Sequence, residues 1–166
     1  VYLKMLENNP LKTSSVGRLF DAVASLLGII DVTSYEGEAA MLLENQARMY
    51  VGNDEVDFLA GVVFENIPTK TIIQNIHQAM VDGFSIPRIA NSFIHTLARV
   101  IFNIAKQHNF SCIACSGGVF QNAVLIEKLI KLAENSGIKL KFNRILSSND
   151  ENISFGQLSY YQHIKK

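Results

Sequence analysis

From Phe110 to its carboxyl end the chain alternates twice between a β-forming run and a helical one: "FSCIAC", "VFQNAVLIEKLIKLAEN", "IKLKFNRI" and "DENISFGQLSYYQHI". This alternation constrains the fold more than any other feature. It predicts an α/β layer arrangement in which parallel strands lie buried beneath helices. The junction between the first strand and the first helix, "CSGGVFQN" at residues 115–122, carries two glycines. At the carboxyl end of a buried strand, Gly117 and Gly118 let a ligand approach the backbone closely. The next helix adds unpaired N–H groups and a positive dipole end, which suit a phosphate or a nucleotide. Asn122, read as part of that helix's first turn, has an amide that both donates and accepts, as recognition of a base or ribose requires. An ordinary tight turn has the same local signature.

A second polar turn, "SSNDENISFGQ" at residues 147–157, again follows a strand and precedes a helix. Asp150 there reads either as a helix cap or first-turn acid, or as a carboxylate ligand for a divalent metal beside a phosphate chain. One carboxylate does not make a metal site.

The first part of the chain reads as helical. Ser14 or Ser15 is placed to cap a helix in which Leu19, Phe20, Val23, Leu26 and Leu27 repeat at helical spacing, and Gly28 closes it. Asp21 sits at the margin of that apolar stripe, where a ribose hydroxyl or plain solvent would suit it. A second helix, from about Gly37 to Met49, turns Ala39, Ala40, Leu42, Leu43 and Ala47 inward. It opens on "YEGEAA", where Glu36 and Glu38 suit the helix dipole and Gly37 permits close approach. Residues 55–64, "EVDFLAGVVF", read as a strand. Pro68 starts a helix with Ile72, Ile73, Ile76, Met80 and Val81 inward and Gly83 as its stop. Pro87 opens the longest helix, which keeps Ile89, Ile94, Leu97, Ala98, Ile101, Ile104 and Ala105 in register, and Gly137 ends the helix between the two later strands. Residues 1–12 read as an irregular lead-in.

With 166 residues, 48% of them hydrophobic, the chain suffices for one domain, 1–166. Equal counts of 15 basic and 15 acidic residues argue against nucleic acid or an anionic membrane as partner. A mean hydropathy of +0.16 fits a large core, or an apolar face meant for another lobe. No apolar stretch approaches the roughly 20 residues of a membrane span, and the start lacks the order of a signal peptide, so the cytoplasm is the expected location. Cys112 and Cys115 spell C-x-x-C, but positions three apart on a strand face opposite ways, so both read as small buried apolar residues rather than a redox pair. The histidines at 77, 95, 108 and 163 form no i, i+4 pair, which argues against a zinc site within the chain. His95 reads as packing at a helix boundary.

Taken in order, "KTSSVGRLFDAVASLLGI", "YEGEAA", "FIHTLA", "SGGVFQN" and "NDENISFGQ" resemble the C-terminal part of the carbamoyltransferase HypF family, from about Lys12 to Gln157. The resemblance implies the helix-rich later lobe of an actin/sugar-kinase-like (ribonuclease H-like) nucleotide-binding fold. It also implies that the chain is a fragment of a [NiFe] hydrogenase maturation enzyme. In that family an upstream module makes carbamoyl-adenylate from carbamoyl phosphate and ATP, and the last module passes the carbamoyl group to the C-terminal cysteine of the partner HypE.

Carried over by motif, Asp21 resembles the acid that holds the adenylate ribose, and Gly37 with Glu38 lies where tRNA-modifying relatives have a ligand-contacting glycine pair. Gly117, Gly118 and Asn122 match the nucleotide corner, and Asp150 matches a carboxylate ligand of a divalent metal. No catalytic residue is assigned. Three departures stand out: Glu151 and Asn152 replace the usual glycines after Asn-Asp, Ala123 stands where many members have arginine, and the upstream histidine-rich metal motif is missing. The expectation is therefore weak or no transferase activity for the isolated chain. The competing readings are an O-carbamoyltransferase or a tRNA threonylcarbamoyl-transferase relative on the same fold, and a non-catalytic docking module for a maturation partner.

Overall fold

A computed structural model of the protein describes residues 13–63, 66–143 and 145–164. The lead-in at 1–12 lies outside them. Among the described residues four helices come first: α1 (Val16–Leu26), α2 (Glu38–Arg48), α3 (Thr69–Val81) and α4 (Ile86–Gln107). Strand β1 (Cys112–Cys115), a 3₁₀ turn (Gly118–Gln121) and α5 (Ala123–Ala133) follow. Strand β2 (Lys139–Phe142), a second 3₁₀ turn (Asp150–Asn152) and α6 (Ile153–Ile164) complete the order. The strands pair in parallel, with Cys112 opposite Lys139 and Cys115 opposite Phe142. The α/β class and the parallel crossover expected from the alternation are thus present.

The core is built on α4, the longest element. Its Ile89, Ala90, Phe93, Ile94, Leu97 and Ala98 are buried, and α2, α3 and α5 pack around it. Phe93 meets Phe20 of α1 edge-to-face, ring centroids 5.1 Å apart at 75°. Pairs of this geometry add a favourable quadrupole contact to the area that they bury. At the end of α1, Gly28 has φ +67, its N–H bonds the Ser25 carbonyl and the Ile29 N–H bonds that of Ala24. This left-handed cap ends the helix where the sequence placed its stop. Ser15 does stand at the amino end of α1, but its side chain makes no capping bond.

Over its described residues, 55–63, the run expected as a strand at 55–64 is not one. Its backbone donors find partners on α4 instead: the Val56 N–H bonds Ser92 Oγ at 2.9 Å, and the Phe58 N–H bonds Thr96 Oγ1 at 2.9 Å. Asn75 of α3 donates to the Phe58 carbonyl at 2.7 Å. With its polar groups satisfied by side chains, the segment buries Phe58 and Leu59 as a loop. Phe64 lies outside the described residues.

Other expectations are corrected by packing geometry. Met80 and Val81 are exposed rather than inward, because α3 contributes only the narrow stripe Ile72, Ile76 and Ala79. Ile104 is exposed in the last part of α4. At 22 residues α4 spans about 33 Å, twice the length of the 11-residue helices α2 and α5 packed against it. Strand β1 is shorter than 110–115 and mostly uncovered: Phe110 and Cys112 are exposed, and only Cys115 is buried. The two thiols do diverge to opposite sides, and both are free. The helix after Ala133 is already broken at Glu134, before Gly137. Helix α6 buries none of its residues and exposes Ile153, Phe155, Leu158 and Tyr160.

Candidate functional site

The glycine corner after β1 is held by a contact that spans the two strand ends. The Gly117 N–H donates to the Ser148 carbonyl at 2.6 Å, tying the first polar turn to the second. Gly117 has φ +102 and ψ 160, a backbone region essentially reserved for glycine. Gly118 begins the 3₁₀ turn, whose leading N–H groups lack intrahelical acceptors by geometry. Helix α1, which carries Asp21, lies against this turn.

Asn122 is the N-cap of α5 rather than a first-turn residue. Its Oδ1 accepts the Leu125 N–H at 2.8 Å, and the residue is only 7% exposed. Its Nδ2 is buried with no hydrogen-bond partner among the described residues. Burying an amide donor without a partner costs roughly 1–3 kcal/mol, a cost that a ligand acceptor would offset.

Glu44, which no motif singles out, reaches the same helix end from α2. Its Oε1 accepts the Ala123 N–H at 3.1 Å and also bonds Arg48, Nη2 at 3.0 Å and Nε at 3.3 Å. In sequence it looks like one half of an ordinary exposed i, i+4 pair. The anion site expected at the head of α5 is therefore already taken: Glu44 holds the first N–H and Asn122 the third.

The second turn is also firmly tied. Asn149, not Asp150, caps it by accepting the Glu151 N–H at 3.1 Å, and Ser147 Oγ donates to Asn149 Oδ1 at 2.6 Å. Asn152 donates to the Ser147 carbonyl, so its side chain fastens the turn instead of crowding Asp150. Asp150 is exposed in the first turn. No group of three or more histidine, cysteine, aspartate or glutamate residues that could hold a metal occurs among the described residues. Asp150 thus offers one carboxylate and does not by itself build a metal centre.

The remaining candidates are engaged locally. Asp21 is half-buried and pairs with Arg18 at 3.3 Å. Gly37, at φ +85, precedes α2, and Glu38 accepts the Ser34 N–H at 2.5 Å. Glu38 stands about 9 Å along α2 from Glu44, the residue that reaches the corner. The structure therefore unites Gly117, Gly118 and Asn122 with the turn bearing Asp150. Asp21 adjoins them through α1, while Gly37 and Glu38 occupy the far end of α2.

Between α2, α4 and α5 opens a groove of about 260 Å³, lined by Arg48, Tyr50, Asn91, Glu127 and Lys128 among others and by none of residues 117–122. Beside it Glu55 contacts Lys128 at 3.4 Å and His95 at 3.7 Å. Burial, with the charge of Lys128, pushes the His95 imidazole below its ordinary 6.5. Burial by itself would raise the Glu55 carboxyl, but its backbone hydrogen bond and the charges of Lys128 and His95 together hold it below 4.5.

The unfolded chain takes up the His95 proton more readily than the folded one, so stability falls as pH drops through 6.5. The Glu55 contribution is complete above 4.5 and is lost as pH falls through its lower folded value. Urea midpoints followed from about pH 7.5 to 4 are expected to decline in both windows, and His95→Gln to flatten the upper limb. An unchanged upper limb in that variant would show that His95 titrates alike in both states.

Residues 2–157 match the family model described as "Carbamoyltransferase, Kae1-like Domain, second subdomain". Among curated relatives, the carbamoyltransferase HypF of Synechocystis is 32% identical over 88% of this chain and 19% of its own length. That of Rhodobacter capsulatus is 34% identical over 90% of this chain and 20% of its own. A full-length HypF solved in a phosphate- and nucleotide-bound form is 28% identical, with TM-score 0.76, covering 93% of this chain and 21% of that one. The fold is thus of the Kae1-like α/β class. Within that class the chain belongs to the carbamoyltransferase HypF family, and it spans about a fifth of the length of the relatives that it matches. Among the described residues no helix is long and apolar enough to cross a membrane.

Proposed function

We propose that this chain is the second nucleotide-facing lobe of a HypF-type enzyme that transfers the carbamoyl group of carbamoyl-adenylate to the C-terminal cysteine of HypE in [NiFe] hydrogenase maturation. The observation that carries the reading is the Gly117–Ser148 bond, which brings the glycine corner and the Asp150 turn together in a chain of this family. The nucleotide-bound form of a 28% identical HypF supports it as well.

Carbamoyl-adenylate is already activated, so the work of the protein is to position it and to stabilise developing charge. The HypE thiolate attacks the carbamoyl carbon and forms a C–S bond. The C–O bond to the phosphoryl group breaks, and AMP leaves with the electron pair. Gly117 and Gly118 give the adenylate close access to the backbone, and Asn122 Nδ2 supplies a donor in want of an acceptor. A divalent metal at Asp150 would need its other ligands from outside the described residues, and no step is assigned to it.

The test uses the full-length protein that contains this chain. Carbamoyl transfer from ATP and carbamoyl phosphate to HypE is followed for wild type, Asn122→Ala and Asp150→Ala. Each variant is expected to lose about tenfold or more in nucleotide affinity or transfer, which is about 1.4 kcal/mol. Wild-type transfer in both variants would overturn the reading. The isolated chain is expected to show weak or no transfer.

A further inference from the structure

We infer that Glu44 is a specificity-determining residue that closes the amino end of α5 to phosphate, so that a ligand in this corner meets α5 only through uncharged groups. The inference rests on the proposed nucleotide function only for its biological meaning, since the closure itself is a property of the chain.

A helix amino end attracts anions because its first N–H groups have no partners and carry partial positive charge. At α5 the first N–H, of Ala123, is held by Glu44 Oε1 at 3.1 Å, and the third, of Leu125, by Asn122 Oδ1 at 2.8 Å. The Glu44 carboxylate is itself pinned by Arg48, and its side chain is only 16% exposed. A phosphate at this helix end would have to displace a held carboxylate or sit beside it, like charge against like. At the glycines the occupying group is uncharged: the Gly117 N–H is held by the Ser148 carbonyl rather than by a carboxylate, and Gly118 has open space around it. The charged end of a ligand is therefore directed to the glycines and its neutral end to α5.

Removing the carboxylate reverses every term. Glu44→Ala bares the Ala123 N–H and frees the Arg48 guanidinium beside a positive helix end, which together make an anion site. Glu44→Gln keeps an acceptor for the N–H but removes the charge.

Inorganic pyrophosphate and adenosine are titrated separately into the wild-type chain and both variants, with amide shifts of Ala123 and Val124 followed by NMR and folding checked by thermal melting. The expected result is a gain in pyrophosphate affinity of about tenfold or more for Glu44→Ala and a smaller gain for Glu44→Gln, centred on those amides, with adenosine affinity unchanged. Should the alanine variant not fold, the glutamine variant alone decides. Pyrophosphate binding at Ala123 and Val124 in the wild-type chain, or no gain in a folded variant, overturns the inference. The pyrophosphate result stands whether or not adenosine binds, and a failure of the nucleotide reading is seen separately, in the transfer assay of the full-length protein.

Discussion

Phe93→Ala is expected to lower the unfolding free energy by about 3–5 kcal/mol, read as a shift of the urea midpoint at constant slope. Phe93 has no solvent exposure, lies about a third of the way along the helix around which the others pack, and meets the buried Phe20 edge-to-face. Truncation removes the transfer free energy of the ring and leaves a cavity. Neighbours on α1, α2 and α5 cannot all collapse into it, because each is held by contacts of its own. A loss below about 1 kcal/mol would mean that the helices close over the gap and that the core is far more plastic than its packing indicates.

Gly117→Ala is expected to cost about 1–3 kcal/mol and, if the proposed function holds, to weaken nucleotide binding by the full-length protein more than that stability loss explains. Nothing lies within 4 Å of a side chain built at this position, so crowding is not the cause. The cause is the backbone: φ +102 with ψ 160 is a conformation that an L residue adopts only under strain. Relief of that strain rotates the Gly117 peptide and breaks the 2.6 Å bond to Ser148, separating the two turns. Gly118→Ala is the control for stability alone, because its φ is not positive and the space around it is open. A Gly117→Ala protein with wild-type stability would remove the physical basis for the joined corner.

Much of this architecture was legible in the residue order. Helical repeats such as Leu19, Phe20 and Val23 or Ile89, Ile94 and Leu97 record which side of a helix is buried, and that periodicity is local. The stops at Gly28 and Gly83 were legible for the same reason, since a left-handed cap is a property of one residue. The 55–64 run misled because β-forming composition reports only that residues want burial. Ser92 and Thr96, 36 and 38 positions away, satisfied its backbone without a strand partner. The corner was half legible. Gly117, Gly118 and Asn122 announced a strand-to-helix turn, but that Asn122 caps α5 through Oδ1 and leaves Nδ2 unpartnered depends on one residue of register.

The amino-acid order by itself determined the α/β class, the buried stripes in the middle of the helices and the presence of two polar turns after two strands, because periodicity, glycine and proline act over a few neighbouring residues. Only the tertiary structure decided that Gly117 bonds Ser148 and that Glu44, 79 positions before Ala123, occupies the head of α5. Those contacts join elements remote in the chain. Their formation depends on how whole helices pack around α4, and no short window of sequence encodes that.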